Sequence, residues 1–535
     1  MEISSLIREL SRPDAYPHPA EDFRVHHTHI SVVFLAGGFA YKVKKPRDLG
    51  FLDFTHRERR RHFCREEVRL NRRLAPSVYL GVVPVVRDGG ALRFGEREDE
   101  GEVVEWAVKM RRLPPEATLR ERLLRGRLQA STLEALARRV AAFHQEAEAG
   151  PEVSRYGRFS VVARNARDNL KQARDHVGTT FSSRVHGRLS RRLEERLTEH
   201  RPLIEDRASR DVPRDNHGDL HLDHVYLFPD RDPPDDLVII DCIEFSPAFR
   251  CSDPVSDMAF LAMDLIHHGR RDLEERFSRS YFHAAGDEEG KQLLSFYRSY
   301  RAAVRGKVEG IAAMEEEVPG PERESALQSA RGHWLLALSE LEGPGERPGL
   351  VLVGGLPGTG KSTVADGVAR EAGFRVVSSD RTRKALAGVA PAESRQAGFQ
   401  EGIYAAEWTE RTYQALLEKV REGLFQGDRI VVDATFRDEE DRRAFLDTAR
   451  ASGVRALFLE CRAPAGVVRE RLEVRTSGPS DADWRVHQEV ARRWEEPGED
   501  TKRDHRVVET GGSREEALTL ALEHLKEGGL IGERR

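Results

Sequence analysis

The chain has 535 residues, of which 39% are hydrophobic and 33% are charged, and its formal net charge is −5. This length allows about two to four domains, and the small net charge argues against a general nucleic-acid-binding surface, although a local basic patch remains open. The first residues lack the pattern of a signal peptide, and we find no apolar run of about 18 residues, so we expect a cytoplasmic protein with no membrane span. The four cysteines are scattered without CxxC spacing and are expected to be reduced residues rather than zinc ligands.

The N-terminal part of the chain predicts a β-rich region followed by a helical one. Strand patterns fall at 29–35, 39–44, 82–86 and 103–110, with a helical pattern at 57–74. Amphipathic helices dominate from about 115 to 340, interrupted near 212–245 by short strand and loop patterns. We therefore expect one domain at 1–341, with a small β-rich lobe of about 1–113 and a helical lobe of about 114–341.

A loop motif, His217-Gly218-Asp219-Leu220-His221, lies in this interruption, and a short apolar strand at 237–240 then ends in Asp241. Phosphoryl transfer needs one carboxylate that accepts or orients the attacking hydroxyl and a second that holds Mg²⁺ against the phosphates. Taken alone, Asp219 is more often a turn residue and Asp241 more often a strand-end cap than a catalytic group.

The two motifs together resemble the aminoglycoside phosphotransferase-like branch of the protein-kinase fold, over residues 25 to about 335. The resemblance implies a bilobal kinase-like fold, with Asp219 as the catalytic base and Asp241 as the metal-binding aspartate. It also implies that Asp257 braces the catalytic loop. Members of this fold phosphorylate many small hydroxyl compounds, so the resemblance does not name a substrate.

A kinase of this kind needs a nucleotide-clamping lysine on a strand of the small lobe. Phe39-Ala40-Tyr41-Lys42 has the expected spacing and predicts Lys42, while Lys44 lies on the same strand face and remains the alternative. The predicted helix partner is Glu67, with Glu66 as the second choice.

The motif departs from the family at one metal-binding position. Five residues after Asp219, where related kinases have an asparagine, this chain has His224, with Asp223 beside it. Imidazole ligates divalent ions but suits Mg²⁺ less well than oxygen donors do, so His224 predicts an altered metal preference. The glycine-rich cover over the phosphates is reduced to Gly37-Gly38, and the catalytic competence of this domain stays open.

A turn-rich linker at 342–349 precedes a complete phosphate-binding loop, Gly355 to Ser362. An apolar strand at 350–353 leads into the loop and a helix at 363–371 follows it, which is the context that the motif needs. The motif predicts that the domain at 350–535 binds ATP, with Lys361 at the β/γ oxygens and the Ser362 hydroxyl on Mg²⁺. The residues assigned to the nucleotide are Gly355, Gly358, Thr359, Gly360, Lys361, Ser362 and Thr363.

Strand patterns at 350–353, 375–378, 429–432 and 455–459 alternate with helices, which predicts a parallel, doubly wound sheet. Asp433 ends the third of these strands and is predicted to lie on the metal side.

Two groups of residues distinguish a kinase from other P-loop proteins. Asp380, after the second strand, is placed to accept a proton from an acceptor hydroxyl, and Arg383 can hold that acceptor; a helix cap is the simpler alternative for Asp380. Arginines that can close over the transferring phosphate follow the fourth strand, at Arg462, Arg469, Arg471 and Arg475. Arg471 and Arg475 share a helix face and are preferred.

The segment at about 349–510 resembles the P-loop kinases that include polynucleotide 5′-hydroxyl kinases, gluconate kinases and zeta-toxin-like enzymes. The Asp380-x-x-Arg383 spacing is most similar to the polynucleotide kinase pattern. We therefore expect a bifunctional ATP- and Mg²⁺-dependent kinase whose acceptor is a small hydroxyl compound or a nucleic-acid 5′ end. Two alternatives remain: an active P-loop kinase beside a catalytically weak N-terminal domain, and a regulatory ATP-binding protein.

Overall fold

A computed structural model describes residues 3–48, 50, 52–315, 318–389, 405–474 and 483–532. The chain forms two compact units, which we call the N-terminal unit and the P-loop unit. The N-terminal unit comprises Met1–Ala163, His200–Leu265 and Arg271–Leu294. The P-loop unit comprises Arg164–Glu199, Ile266–Arg270 and Ser295–Arg535. Among the described helices, none combines the length and the apolar composition that a membrane span requires.

The strands lie in three parts of the described chain, at 24–111, 214–252 and 349–509. They are β1 Arg24–His27, β2 Ser31–Ala36, β3 Phe39–Lys44, β4 Tyr79–Asp88, β5 Ala91–Phe94, β6 Glu102–Arg111, β7 Arg214–Asp215, β8 Val225–Leu227, β9 Leu237–Ile239, β10 Cys251–Ser252, β11 Gly349–Gly354, β12 Arg375–Ser378, β13 Arg429–Asp433, β14 Arg455–Arg462 and β15 His505–Glu509.

Helices dominate the middle of the chain. They are α1 Ile3–Leu10, α2 Arg57–Asn71, α3 Leu119–Leu124, α4 Ala130–Glu146, α5 Pro151–Gly157, α6 Phe159–Gln172, α7 Ser183–Ser209, α8 Pro247–Arg250, α9 Pro254–His267, α10 Arg271–Ala285, α11 Leu294–Met314, α12 Gly320–Leu341, α13 Lys361–Ala372, α14 Ser379–Leu386, α15 Ala406–Phe425, α16 Glu439–Ala451, α17 Ala465–Val474, α18 Trp484–Arg492, α19 Glu499–Lys502 and α20 Arg514–Glu527.

The N-terminal unit begins with a six-stranded antiparallel sheet in the order β1-β2-β3-β6-β4-β5. Lys42 of β3 pairs with Val33 of β2 and with Val108 of β6, so it lies inside the sheet. Alternate residues of a strand share a face, which places Ala40, Lys42 and Lys44 on the same side. Helix α2 covers that side, since its Cys64 and Val68 pack in one buried cluster with Ala40 and Val108. The predicted lysine strand and its helix therefore lie together.

Two short antiparallel strand pairs hold the predicted catalytic segments of this unit. β7 pairs with β10, and β8 pairs with β9 through Val225 and Ile239. The loop that carries Asp219 runs from β7 to β8, and Asp241 follows β9. Because β8 and β9 are neighbours, the two aspartates are brought to the same region.

The P-loop unit contains a five-stranded parallel sheet in the order β12-β13-β11-β14-β15. Every residue of β11 is buried, as expected for a parallel sheet covered on both faces. The chain leaves β11 toward β12 and β13 on one side and later reaches β14 and β15 on the other. Ligands bind outside the carboxyl ends of the strands at such a switch point, and the phosphate loop follows β11 there. The predicted parallel sheet is confirmed, and β15 is an addition to it.

The division into units does not follow the predicted domain boundary. Residues 342–349 form the predicted turn, but the segments 164–199 and 295–341, which the sequence assigned to the N-terminal domain, belong to the P-loop unit. Their contacts give the reason. Arg188 donates to Gly427 O at 2.6 Å and pairs with Glu342 at 2.6 Å, both within this unit. A turn signal locates a loop, but it does not say which domain a neighbouring helix joins.

Candidate active sites

The loop that carries Asp219 is fixed by a buried carboxylate. Asp257, fully buried on α9, accepts hydrogen bonds from the backbone N–H of His217 at 3.1 Å and from that of Gly218 at 2.7 Å. His144 Nε2 lies 3.1 Å from the same carboxylate, and its Nδ1 lies 2.7 Å from the Tyr281 hydroxyl. These contacts hold the backbone of the Asp219 loop against α9.

Two residues of this region have left-handed backbone conformations. Gly218 has φ +86°, and a Cβ there would lie 3.2 Å from the Arg250 Cα, so the position favours glycine. Asp241 has φ +65° although it is not a glycine. Aspartate is one of the few residues besides glycine that adopt this conformation routinely, so the sequence is compatible with the backbone here.

His217 is a structural histidine rather than a base. Its Nε2 donates to Ile240 O at 2.9 Å, and its Nδ1 accepts from the Asp219 N–H at 3.3 Å, so both ring nitrogens are used. Burial lowers its pKa from 6.5 to about 4. The neutral ring ties the Asp219 loop to the segment before Asp241.

Lys42 connects the predicted nucleotide clamp to the predicted metal site. Its Nζ lies 2.9 Å from Glu67 Oε1 and 2.5 Å from Asp241 Oδ1. Burial by itself would lower the pKa of Lys42, but the carboxylates of Asp241 and Glu67 outweigh it and hold the pKa well above its usual value. The same contact lowers the pKa of Asp241 against the effect of burial. Both groups are therefore charged at neutral pH.

Lys44, the alternative lysine, is enclosed instead. Its Nζ is 2.6 Å from Glu67 Oε2 and also contacts Glu244, and its side chain is 0% exposed. Glu66 faces outward and pairs with Arg69 at 2.7 Å. Geometry thus places Glu67 between the two lysines and leaves Lys42 as the one that reaches Asp241. Glu244 was not predicted, because nothing in its local sequence marks it as the partner of a distant strand.

His224 lies between the two predicted aspartates. Its Nδ1 is 3.6 Å from Asp219 Oδ2, and its Nε2 is 3.6 Å from Asp241 Oδ2. Burial is the main cause that lowers the pKa of His224, and the neighbouring His221 lowers it further. The ligand atoms of Asp219, His221 and His224 lie within 4.8 Å of one another, so these residues can hold a metal ion. Sequence reasoning found Asp219, Asp241 and His224 and missed His221 as a possible ligand.

The phosphate loop of the P-loop unit has the geometry that its sequence predicts. Gly360, with φ +93°, caps the N-terminus of α13, which begins at Lys361. Gly355 has φ +131°, and a Cβ there would lie 2.5 Å from Cys461 O, so a larger residue would collide with β14. Lys361 Nζ donates to Leu356 O at 2.9 Å across the loop. Backbone N–H groups at a helix N-terminus form an anion-binding site.

Ser362 and Asp433 meet at the base of this loop. The Ser362 hydroxyl donates to Asp433 Oδ2 at 2.7 Å. Burial raises the pKa of Asp433, and the charge of Lys361 opposes that rise. A hydroxyl and a carboxylate side by side are oxygen donors of the type that Mg²⁺ prefers, so these two residues fit the predicted ion.

Asp380 and Arg383 lie on α14 at the same edge of the sheet. In the pairing of β12 with β13, Ser378 is opposite Asp433, and Asp380 follows two residues later in the first turn of α14. An acidic residue in a first turn also interacts favourably with the helix dipole. The structure therefore places Asp380 beside the phosphate-binding edge without removing the helix-cap alternative.

A buried polar contact that sequence reasoning missed involves Tyr413 of α15. The Tyr413 hydroxyl accepts from the Phe436 N–H at 2.9 Å, and Phe436 has φ +51°. Burial raises the pKa of Tyr413, with Asp441 adding to that rise and Arg383 acting against it. Burial is the main cause that raises the pKa of Asp441 to about 7, and the nearby Asp438 carboxylate adds to the rise. Tyr413 is therefore a buried residue close to both Asp441 and Arg383.

The predicted arginines have different surroundings. Arg471 donates to Thr510 O at 2.7 Å, and its Nη1 lies 3.8 Å from a Cβ built at Gly360, so it is beside the phosphate loop. Arg469 pairs with Glu473 on an exposed helix face, and Arg462 pairs with Glu460. Arg475 lies outside the described residues.

Thr510, after β15, is another residue that sequence reasoning missed. Its hydroxyl donates to Thr359 O at 2.6 Å and lies 2.8 Å from Arg462 O. His487 Nδ1 lies 2.8 Å from Pro357 O on the same loop. Neither residue belongs to a recognisable motif, since each acts through backbone atoms of the phosphate loop.

A family match agrees with the P-loop site, and two solved structures are similar to part of the chain. Residues 350–497 match AAA_33, described as an AAA domain. A sugar kinase from Janibacter sp. HTCC2649 is 20% identical, with 34% of this chain and 95% of that chain covered at a TM-score of 0.27. A gluconokinase from Sinorhizobium meliloti 1021 is also 20% identical, with 34% and 94% covered at a TM-score of 0.26.

The family match and the loop geometry together define a P-loop domain, which points to nucleotide binding. Over 509 residues the chain is 33% identical to the uncharacterized protein Rv2004c of Mycobacterium tuberculosis, covering 95% of this chain and 96% of that protein. The chain therefore belongs to the same protein family as Rv2004c.

Proposed function

We propose that the chain is an ATP-dependent phosphotransferase whose P-loop unit transfers the γ-phosphoryl group to a hydroxyl acceptor. The observation that carries the proposal is the 2.7 Å hydrogen bond from Ser362 Oγ to Asp433 Oδ2 at the base of the phosphate loop. A Mg²⁺ ion held by these two side chains would neutralise charge on the phosphates. Lys361, the first residue of α13, provides the positive charge on the opposite side of the loop.

The transfer itself needs a base, an acceptor clamp and charge neutralisation. Asp380 takes the proton of the acceptor hydroxyl as its oxygen attacks the γ-phosphorus, and the bond to the β–γ bridging oxygen breaks to release ADP. Arg383 positions the acceptor, and Arg471 neutralises charge on the transferring group. Arg475 is proposed for the same role from the sequence alone. These roles rest on the shared sheet edge of Asp380 and Asp433 and on the position of Arg471 beside Gly360.

We propose a second phosphotransferase site, of the aminoglycoside phosphotransferase-like kind, in the N-terminal unit. The observation that favours it is Lys42, whose Nζ contacts both Glu67 and Asp241. In this proposal Lys42 clamps the nucleotide, Asp241 binds the metal, and Asp219 accepts the proton of a small hydroxyl compound. The β-rich sheet would be the small lobe and the helices after it the helical lobe.

Separate inactivation of the two sites tests the proposal. We would assay Lys361→Ala and Asp219→Asn with γ-labelled ATP against small hydroxyl compounds and 5′-hydroxyl oligonucleotides. Lys502→Ala and Asp14→Asn are matched controls, because both side chains are more than half exposed. Each site variant is expected to lose transfer to a different acceptor class, and the controls are expected to lose neither.

Each other result rejects a specific part of the proposal. If Lys361→Ala removes all transfer and Asp219→Asn changes nothing, the N-terminal site is wrong. If ATP binds tightly and no acceptor in either class is labelled, the chain is a regulatory ATP-binding protein. The two acceptor classes also decide between a small molecule and a nucleic-acid 5′ end for the P-loop unit.

A further inference from the structure

Four side chains of the N-terminal unit bring two imidazoles and two carboxylates together. We call Asp219, His221, His224 and Asp241 the His–Asp cluster. The ligand atoms of the first three lie within 4.8 Å of one another, and His224 Nε2 lies 3.6 Å from Asp241 Oδ2. Imidazole nitrogen suits zinc and other transition-series ions, whereas Mg²⁺ is bound through oxygen. The composition of the cluster therefore differs from that of a magnesium site.

The hydrogen bonds of His224 direct one nitrogen toward the cluster. Its Nδ1 donates to the carbonyl oxygen of Asp219 at 2.9 Å. A carbonyl only accepts, so Nδ1 carries a proton, and in the neutral form of the ring the lone pair is on Nε2. Metal-binding histidines are typically oriented in this way, by donating the other ring N–H to a carbonyl or carboxylate. The lone pair of His224 Nε2 faces Asp241.

One carboxylate oxygen of Asp241 is paired with Lys42, and the other lies near His224. Lys42 holds Oδ1 at 2.5 Å, while Oδ2 is the atom near His224. The side chain of Asp241 is 39% exposed and that of Asp219 is 33% exposed, so an ion and its water can enter. His221 is more enclosed, and its Nε2 lies 3.7 Å from Asp219 Oδ2.

The spacing of the donor atoms is compatible with a shared tetrahedral ion. Neighbouring ligands of a tetrahedral ion with bonds of about 2.1 Å are separated by about 3.4 Å. Adjacent ligands of octahedral Mg²⁺ are about 2.9 Å apart. The distance of 3.6 Å from His224 Nε2 to Asp241 Oδ2 is closer to the tetrahedral value. Only a small adjustment is needed for these atoms to share a tetrahedral ion.

We propose that the His–Asp cluster binds one Zn²⁺ ion, with His224 Nε2 and Asp241 Oδ2 as ligands and Asp219 and His221 as the neighbouring donors. The inference goes beyond the phosphotransferase proposal and does not depend on it, since the ion can be measured without nucleotide or acceptor. Phosphoryl transfer by the N-terminal unit and zinc binding can therefore fail separately.

Co²⁺ is the probe, because tetrahedral Co²⁺ absorbs visible light much more strongly than octahedral Co²⁺ does. The full-length chain would be titrated with Co²⁺, then with Zn²⁺, and separately with Mg²⁺ by calorimetry. His224→Asn removes the nitrogen ligand and keeps a polar side chain of similar reach. His283→Asn is the matched control, because His283 is an exposed histidine on α10 of the same unit.

The wild-type chain and His283→Asn are expected to take up one equivalent of Co²⁺ with a tetrahedral spectrum that Zn²⁺ displaces. His224→Asn is expected to bind Zn²⁺ at least tenfold more weakly, with no loss of Mg²⁺ binding. A weak, octahedral spectrum in the wild type would overturn the proposal without reference to any variant. Equal Zn²⁺ affinity in His224→Asn and the wild type would identify an adventitious ion only.

Discussion

Replacing each lysine of β3 by methionine separates two roles that are difficult to distinguish in sequence. Lys44→Met leaves Glu244 buried without its cation and leaves Glu67 with Lys42 alone. Removing one partner of a buried ion pair costs about 3–5 kcal/mol. Lys42→Met costs less, about 1 kcal/mol, because Glu67 keeps Lys44 and water reaches the 39% exposed Asp241. We therefore expect Lys44→Met to destabilise the sheet more, by at least about 2 kcal/mol.

Hydrogen exchange resolves this difference within the N-terminal unit. A difference of about 2 kcal/mol corresponds to roughly 30-fold faster exchange in a peptide that covers β3. Nucleotide binding would be measured by calorimetry in a Lys361→Ala background, which disables the phosphate loop. There Lys42→Met is expected to weaken ATP binding at least tenfold, and Lys44→Met is expected to bind ATP while it remains folded. Lys291→Met, at a 46% exposed site, is the control.

The opposite pattern would refute the assignment of Lys42 as the clamp. If Lys42→Met and Lys44→Met lose the same protection, the buried position of Lys44 has no energetic consequence. If Lys44→Met loses ATP binding while β3 keeps its protection, Lys44 is the clamping lysine. Peptides from β11 report on the P-loop unit and are expected to exchange equally in both variants.

Three further predictions concern single positions. The pKa of His217 falls from 6.5 to about 4 on folding, so its full contribution to the free energy of unfolding is present above pH 6.5, and about 3 kcal/mol of that free energy is lost by pH 4. In chemical denaturation, His217→Gln is expected to lack this pH dependence. The control His26→Gln is expected to keep it. Gly355→Ala is expected to lower ATP affinity at least tenfold in calorimetry, whereas Gly343→Ala, with open space around it, is expected to leave it unchanged. Asp257→Asn leaves one acceptor oxygen for two loop amides, so the free energy that protects either His217 or Gly218 from exchange is expected to fall by about 1–3 kcal/mol, and unchanged protection at both would contradict the bracing role.

Strong local patterns predicted much of the fold. The apolar alternation of β3 and the continuous apolar run of β11 gave strands at 39–44 and 350–353, and the structure has Phe39–Lys44 and Gly349–Gly354. The weaker strands β1 and β15 escaped prediction, because their charged and histidine-rich sequences show no clear alternation. Their strand form depends on pairing with β2 and β14, which a local pattern does not encode.

The residues of the candidate sites also divide into those that a local sequence pattern predicts and those that it does not. Residues inside a motif, such as Asp219, Lys361 and Ser362, were identifiable because their spacing reflects one local conformation. Glu244 and Thr510 act on partners about 200 and 151 residues away in the chain. No spacing rule covers contacts at such separations, so these residues became visible only in the fold.

The hydrogen bond from Thr510 to Thr359 O has a consequence for how the P-loop unit should be isolated. The segment that matches the AAA domain ends at residue 497, and both β15 and Thr510 lie beyond it. The carbonyl oxygen of Thr510 also accepts a hydrogen bond from the Arg471 guanidinium. An expression fragment trimmed to 350–497 would keep the whole phosphate-loop sequence and lose the strand that supports its backbone and its arginine. The functional boundary of the nucleotide site is therefore wider than its recognisable sequence.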